Sequence, residues 1–199
     1  MMKSYLKKFS ADESANITIE FVIILPLLTL WFVGTLVFFD AYKSRMAADN
    51  ATSVVADILS RFEPSPLKPG YELDEIDEML LLRTSMLPKA PAGGWLRISA
   101  IEYDDFDGSY TVNWSCVATG GIAPQLTDAE IPLERLPLMI DGEVVLLVES
   151  SVRYRPLVDW VGIDIVSWSS TAAIKPRFAP GAPINAGECT AGGPGGGIS

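Results

Sequence analysis

The first pattern along the chain is one long apolar run from Ile17 to Phe39, which contains a single charged residue, Glu20. Because a helix rises about 1.5 Å per residue, the run is long enough to cross the roughly 30 Å hydrocarbon core of a bilayer. A secretory signal peptide would have a shorter apolar core, followed by a small-residue cleavage site. The pattern therefore predicts a transmembrane helix, which we assign to residues 16–39.

After this run the apolar positions recur every three or four residues, which is the period of an amphipathic helix. The apolar stripe consists of Ala47, Ala51, Val54, Val55, Ile58, Leu59 and Phe62, and the other face carries Asp49, Asn50, Ser53, Asp57 and Arg61. Such a stripe most simply covers the core of its own domain, and a ligand site is the alternative. We expect the helix to continue out of the membrane and to pack on a folded domain.

A second helix is predicted after the loop EPSPLKPG (63–70), whose prolines and glycine end the first one. The segment YELDEIDEMLLLRTSML is acidic at its start and apolar later. Negative charge near a helix N-terminus suits the helix dipole. We expect these carboxylates to form a solvated face of the second helix.

The period changes to that of β-strands from Trp95 onward. The segments WLRISAIEY and SYTVNWSCVAT flank DDFDG and predict a hairpin. One face of its second strand would carry Tyr110, Val112, Trp114, Cys116 and Ala118. Two more strands are predicted in EVVLLVESSVRYRPL and IDIVSWSSTAAIKPR. Two helical segments followed by four strands indicate an α+β fold, with a small antiparallel sheet packed on the long N-terminal helix.

Charge and composition argue against several classes of function. The formal net charge is -10, so a basic surface for nucleic acid is not expected. The chain has no histidine, which removes the commonest general base and the commonest zinc ligand. We expect no enzyme activity, no catalytic residues, no metal and no cofactor. Asp104, Asp105 and Asp107 before Gly108 favour a tight turn, and calcium is the alternative, although the later ligands of an EF-hand loop are missing.

Both ends of the chain carry motifs that resemble one known family. A short basic leader, MMKSYLKKFSADESA, ends in the small residue Ala15 and is followed by ITIEFVIILPLL, which contains Glu20. Near the C-terminus, VESSVRYRPL precedes SSTAAIKPRF. This arrangement resembles the TadE/TadF-type minor pilins, or pseudopilins, of the tight-adherence (Tad) type IV pilus system. The motifs lie in residues 12–62 and 143–178, and the middle of the chain is not matched.

The resemblance implies a processing site and a role for the acid in the membrane run. A prepilin peptidase would cut on the cytoplasmic side between Ala15 and Asn16. Glu20 would then offset the new amino group of a neighbouring subunit, since opposite charges attract strongly in a low-dielectric setting. The family usually has Gly before the cut, where this chain has Ala15. The alternative is that Glu20 is a solvated acid at the membrane interface, where the helix dipole favours it.

The resemblance also implies where each part of the chain lies in the cell. Residues 1–15 would be the leader, 16–39 the membrane helix, 40–178 an extracytoplasmic pilin-like domain and 179–199 a flexible Gly/Pro-rich tail. The protein would cross the bacterial inner membrane once, with a cytoplasmic N-terminus and a periplasmic domain, and remain there or enter a pilus. Its partners would be the membrane, other Tad pilus subunits and assembly proteins, and the prepilin peptidase.

Two further features of the predicted domain bear on its contacts. Cys116 and Cys189 would form a disulfide in an oxidising compartment, and two free thiols are the alternative. The cations Arg153, Arg155, Lys175 and Arg177 stand out on an acidic domain. They are either strand-edge charges that discourage edge pairing or subunit contacts.

Two functions are consistent with these observations. One is a minor pilin or pseudopilin that is processed by a prepilin peptidase and acts in pilus assembly and surface adherence. The other is an uncleaved single-pass accessory or sensor protein whose external domain binds a partner. Only the first requires processing, so the mature N-terminus distinguishes the two.

Overall fold

One long helix leads directly into a helix-and-sheet domain in the computed structural model, which describes residues 14–87, 94–118, 123–155, 166–184 and 190–192. Among these residues, the helices are α1 (Ser14–Ser60) and α2 (Leu73–Met86), and the strands are β1 (Trp95–Asp104), β2 (Ser109–Val117), β3 (Val144–Tyr154), β4 (Val166–Ile174) and β5 (Thr190–Gly192). Short 3-10 turns at Asp128–Glu130 and Leu133–Arg135 lie between β2 and β3. The α+β prediction, with a long apolar N-terminal helix, is confirmed at this level.

The described strands form one antiparallel sheet in the order β4-β3-β1-β2-β5. The predicted hairpin is present as β1 and β2, and Gly108 in its turn has φ +62°. This left-handed conformation is one that glycine adopts without steric cost. The second helix, α2, begins with a capping box in which the side chains of Glu72 and Glu75 satisfy free backbone amides.

The second half of α1 lies across β3 and β4 and covers one face of the sheet. Its buried residues are Ala48, Ala51, Thr52, Val55, Ala56, Leu59 and Ser60. This face is rotated from the predicted one, because Val54 and Ile58 are each 39% exposed. Small side chains recur at helical spacing along it, and they allow the helix axis to approach the sheet closely. The predicted stripe included Ala51 and missed the other small residues of this face, since Ala, Thr and Ser contribute little to hydrophobicity.

The sheet is covered on both faces, and a bulge in β2 distributes side chains between them. Trp114 pairs with Ala100 while Val112 pairs with Ile101, so Asn113 is the extra residue. Trp114, Cys116 and Ala118 therefore join the core under the helices, whereas Val112 packs with Ile101 and Leu126 under the β2–β3 connection. The prediction of one continuous apolar face from Tyr110 to Ala118 was wrong, because one added residue reverses the alternation.

Part of the predicted flexible tail, 179–199, belongs to the packed structure. Ala179 and Ala182 are buried, and the Trp114 Nε1 donates a hydrogen bond to the Ala182 carbonyl at 2.7 Å. Tyr71 donates its amide hydrogen to the Pro183 carbonyl at 2.8 Å. Residues 190–192 form β5 against β2. These backbone and indole hydrogen bonds hold the described part of the tail against the core.

Candidate functional site

The first half of α1 exposes apolar side chains that a water-soluble helix would bury. Those in the run that are at least 49% exposed are Ile19, Phe21, Val22, Ile23, Ile24, Leu25, Leu27, Leu28, Leu30, Trp31, Phe32, Leu36, Phe38 and Phe39. Such a continuous surface is far larger than the apolar patches of typical soluble monomers. By length and composition, the helix is able to cross a membrane. The predicted location is confirmed only to this extent: the helix is long and apolar enough to span a membrane.

The exposed half of α1 meets the sheet domain at a polar junction. The Tyr154 hydroxyl donates a hydrogen bond to Asp40 Oδ2 at 3.0 Å. The Arg45 guanidinium lies over the Trp168 ring, 5.5 Å from its centroid. The Tyr154 and Trp168 rings are themselves neighbours, with centroids 6.5 Å apart. Two aromatic side chains of the sheet thus bind two charged side chains of the helix where the exposed run ends.

Burial and the adjacent carboxylate change the acidity of the junction tyrosine. The pKa of Tyr154 is raised to about 12, mainly because the phenol is buried. The hydrogen bond to Asp40 and the negative charge of Asp40 also raise this pKa. The phenol is protonated at neutral pH, and its O–H donates to Asp40. A protonated donor beside a carboxylate makes the contact a charge-assisted hydrogen bond.

Polar contacts continue along α1 beyond the junction. Ser170 Oγ donates to Asp49 Oδ1 at 2.5 Å, and the Thr52 and Ser150 hydroxyls are 2.7 Å apart. At the far end, Arg177 Nη2 lies 3.3 Å from Asp57 Oδ1. The sequence pattern placed Asp49 and Asp57 on the face opposite the apolar stripe, and here they bind side chains of β4 and of the segment after it. The helix is thereby fixed to the sheet over its whole second half.

The predicted processing site lies at the start of α1. Ala15 and Asn16 have helical backbone, since the helix begins at Ser14, and residues 1–13 of the predicted leader lie outside the described residues. Glu20 lies one turn further on and is exposed. The site and the acid therefore belong to one helix that continues without interruption into the domain. The cleavage itself and the pairing role of Glu20 stay predictions.

The predicted disulfide involves one described cysteine. Cys116 is buried, 2% exposed, and is disulfide-bonded. Cys189 lies outside the described residues, so the pairing stays a prediction. The neighbouring residue in the chain, Thr190, pairs with Ser115 across β5 and β2. This register is consistent with a bond between the two cysteines.

The acidic turn is organised by hydrogen bonds within the protein. The Phe106 amide donates to Asp104 Oδ1 at 2.8 Å, and the Asp105 amide donates to Asp141 Oδ1 at 3.1 Å. In the part of the chain that the structure describes, no group of three or more His, Cys, Asp and Glu side chains is arranged to hold a metal ion. The turn interpretation of Asp104 and its neighbours accounts for these contacts.

The four C-terminal cations have different environments. Lys175 Nζ forms an ion pair with Glu143 Oε1 at 2.5 Å, and Arg177 pairs with Asp57 at 3.3 Å. Arg153 and Arg155 are exposed at the end of β3 next to the junction. Lys175 and Arg177 therefore pair with acids of their own chain, which their sequence positions did not indicate.

Two buried arginines were not predicted as special positions. Arg83 is 1% exposed and donates to the Ser151 carbonyl at 3.2 Å, and burial lowers its pKa to about 10. Arg97 forms an ion pair with Glu149 at 2.6 Å between β1 and β3 and donates to the Pro124 carbonyl at 2.8 Å. Nothing in the local pattern distinguishes these residues from solvated arginines, because their burial depends on what packs over them.

Comparison of the chain with family models, with curated proteins and with solved structures gives no match.

Proposed function

We propose that this chain is a membrane-anchored, pilin-like assembly subunit of the TadE/TadF type, in which α1 is both the membrane anchor and the spine of the external domain. The observation that carries the proposal is the division of one 47-residue helix into an exposed apolar half and a half fixed to the sheet. A subunit that passes from a membrane into a filament needs such a helix, since the same apolar surface can face lipid or neighbouring helices.

The continuity of α1 supports this role mechanically. A force or rotation applied to the apolar half reaches the domain through the Asp40–Tyr154 and Asp49–Ser170 hydrogen bonds. A flexible linker at this point would decouple the anchor from the domain. Subunits whose helices pack together would therefore also fix the positions of their external domains.

Glu20 supplies the charge for packing between subunits. After cleavage between Ala15 and Asn16, a new amino group would lie at the start of α1, within about one helical turn of the acid along the axis. Neighbouring subunits that are offset along their helices would bring the amino group of one chain to Glu20 of the next. An ion pair removes much of the cost of holding each charge near lipid.

The test of the proposal is the N-terminus of the full chain after co-expression with a Tad-type prepilin peptidase. We expect loss of residues 1–15 and a chain that begins at Asn16. A catalytically inactive peptidase is the control, and Ala15→Arg should block the cut, whereas Ala11→Arg in the leader should not. An intact residue 1, or a start far from Asn16, would reject the pilin function.

An export reporter fused after Phe178 tests the proposed topology separately. The expected result is export, because the domain is proposed to lie in the periplasm. Cytoplasmic activity of the reporter would contradict this topology.

The alternative function is an uncleaved accessory or sensor protein with an external binding domain. An intact N-terminus together with an exported domain would favour it. No catalytic role is proposed for any residue.

A further inference from the structure

The end of the domain farthest from the apolar half of α1 exposes large hydrophobic side chains. Phe106, in the β1–β2 turn, is 95% exposed, and Leu138 and Ile140, before β3, are 97% and 74% exposed. We call the two segments that carry them, 104–108 and 137–143, the distal tip. Isolated apolar side chains are common on protein surfaces, but these three lie on two turns that are hydrogen-bonded to each other.

Hydrogen bonds between the two turns hold the distal tip in place. The Asp105 amide donates to Asp141 Oδ1 at 3.1 Å, and the Gly142 amide donates to the Tyr103 carbonyl at 2.9 Å. Within the second segment, the Ile140 amide donates to Glu143 Oε2 at 3.0 Å. The exposed side chains are thus presented on an ordered backbone, which reduces the entropy lost when a partner binds.

The position of the distal tip is set by the direction of α1. The helix leaves the exposed run at Asp40 beside Tyr154, the last residue of β3, and ends at Ser60, where its carbonyl accepts the Arg177 amide at 2.8 Å. The start of β3 and the β1–β2 turn lie at this second end, because β1 and β3 are antiparallel and Glu102 pairs with Val144. A membrane around the apolar half of α1 therefore lies at the opposite end of the domain.

The charge around the apolar side chains is negative. Asp104, Asp105, Asp107, Asp141 and Glu143 lie within the two segments, which contain no Lys or Arg. Lys175 forms an ion pair with Glu143, and no ion pair involves the four aspartates among the described residues. This charge disfavours an anionic lipid surface and also disfavours contact between two distal tips, since like charges repel.

A second copy of the chain fits this surface poorly. The chain has a formal net charge of -10, so two copies repel each other. Several exposed cations elsewhere on the domain are in ion pairs with acids of their own chain: Arg61, Arg135, Lys175 and Arg177. The complementary charge is therefore better supplied by a different protein.

We propose that the distal tip is a docking surface for a different protein, which places Lys or Arg side chains around an apolar pocket that receives Phe106 and Leu138. Aromatic anchors in an apolar pocket carry most of the affinity of such contacts, and complementary charge speeds their formation. The proposal goes beyond the pilin function and does not depend on cleavage of the leader, so the two can fail separately.

The first experiment is photo-crosslinking of the full chain in its native host. A benzophenone amino acid replaces Phe106, and the matched control places it at Leu67, which is 97% exposed in the loop after α1. We expect a discrete adduct with another protein from position 106 and no such adduct from position 67. Adducts with lipid only, with another copy of this chain, or from both positions alike would overturn the proposal.

The second experiment measures binding between the purified full chain and the purified crosslinked protein. Phe106→Ala should raise the dissociation constant by about tenfold or more, as removal of a central anchor does. An increase in NaCl from about 0.05 to 0.5 M should slow association. Leu67→Ala is the control and should bind as the unmodified chain does. Because Phe106 and Leu67 are solvent-exposed, both variants should keep the unmodified melting temperature, and equal affinity of Phe106→Ala and the unmodified chain would refute the docking surface.

Discussion

The Tyr154 hydroxyl donates a hydrogen bond to Asp40 Oδ2 at 3.0 Å, and so ties the last residue of β3 to the point where the apolar half of α1 ends. The two residues are 114 positions apart in the chain. Their contact joins the segment that is proposed to lie in a membrane to the segment that is proposed to lie outside it. This contact therefore helps to determine whether the proposed anchor and the domain move as one body.

Removal of this hydrogen bond should loosen the junction without unfolding the domain. We expect Tyr154→Phe to lower the free energy of unfolding by about 1 kcal/mol, the usual value for one hydrogen bond. Amide exchange in α1 around Asp40 should become faster, because the helix loses a hydrogen bond to the sheet. Tyr42→Phe, at a tyrosine that is 56% exposed on the same helix, is the control. Equal exchange rates in the two variants would contradict the junction.

The junction should also depend on pH in the alkaline range. Burial and Asp40 raise the pKa of Tyr154 from 10.0 to about 12, so the folded protein keeps a proton that the unfolded chain releases. Its contribution to stability is therefore complete below pH 10 and is lost as the pH rises towards 12. The difference in unfolding free energy between the unmodified chain and Tyr154→Phe should shrink over that interval. A difference that stays constant up to pH 12 would contradict the assigned pKa.

Glu20→Gln should impair assembly while leaving insertion intact. The amide keeps the size of the side chain and removes its charge, and a neutral amide is less costly than a carboxylate near lipid. In cells with this variant as the sole copy, we expect a stable, membrane-inserted protein and defective pilus production. Glu63→Gln, at an exposed acid beyond α1, is the matched control. Normal piliation with Glu20→Gln would leave Glu20 as a solvated interfacial acid.

The partner of Cys116 can be identified by its effect on stability. If the bond is to Cys189, it closes a loop of about 73 residues, for which chain entropy gives at most about 4 kcal/mol. We expect Cys189→Ala to lower the unfolding free energy by up to this amount and to leave one free thiol, detected by alkylation and mass spectrometry. Cys116→Ala should cost slightly more, because a buried sulfur is also lost. A Cys189→Ala variant with no free thiol would rule out this pairing.

The packing of residues 182–184 on the core should be sensitive to a single methyl group at Gly70. A Cβ at this position would lie 2.7 Å from the Pro183 carbonyl oxygen, which is closer than side-chain carbons approach backbone atoms. Gly70→Ala should therefore cost about 1–3 kcal/mol of stability, measured by thermal unfolding of the full chain. Gly181→Ala, at a glycine with no atom within 4 Å of the added carbon, should be close to neutral. Equal melting temperatures would contradict the close packing of Pro183 on Gly70.

Local sequence patterns were sufficient to predict α1 and the β1–β2 hairpin. The apolar run and the three-to-four spacing after it determined a helix, and alternation with an Asp-Gly turn determined the β1–β2 hairpin. The order of two helical segments and then strands also determined the α+β class. In each case the information lies within about 20 neighbouring residues, and hydrophobic burial selects the same period wherever the segment packs.

Other features were decided only when distant segments packed together. The buried face of α1 follows Ala48, Thr52 and Ala56, because close approach to the sheet requires small side chains, and hydrophobicity does not report size. The bulge at Asn113 arises from the pairing of β2 with β1 and moves Val112 to the opposite face of the sheet.

The residues of the candidate site also differ in whether the sequence alone reveals them. Glu20 is recognisable from the sequence because one charge in an apolar run is a local anomaly. The Asp40–Tyr154 junction and the distal tip depend on strand order and register, which bring together residues that carry no common local signal. Sequence thus determined which segments are apolar, helical or extended, and tertiary packing decided which polar residues meet, because desolvation and hydrogen bonding act only between groups that the fold places in contact.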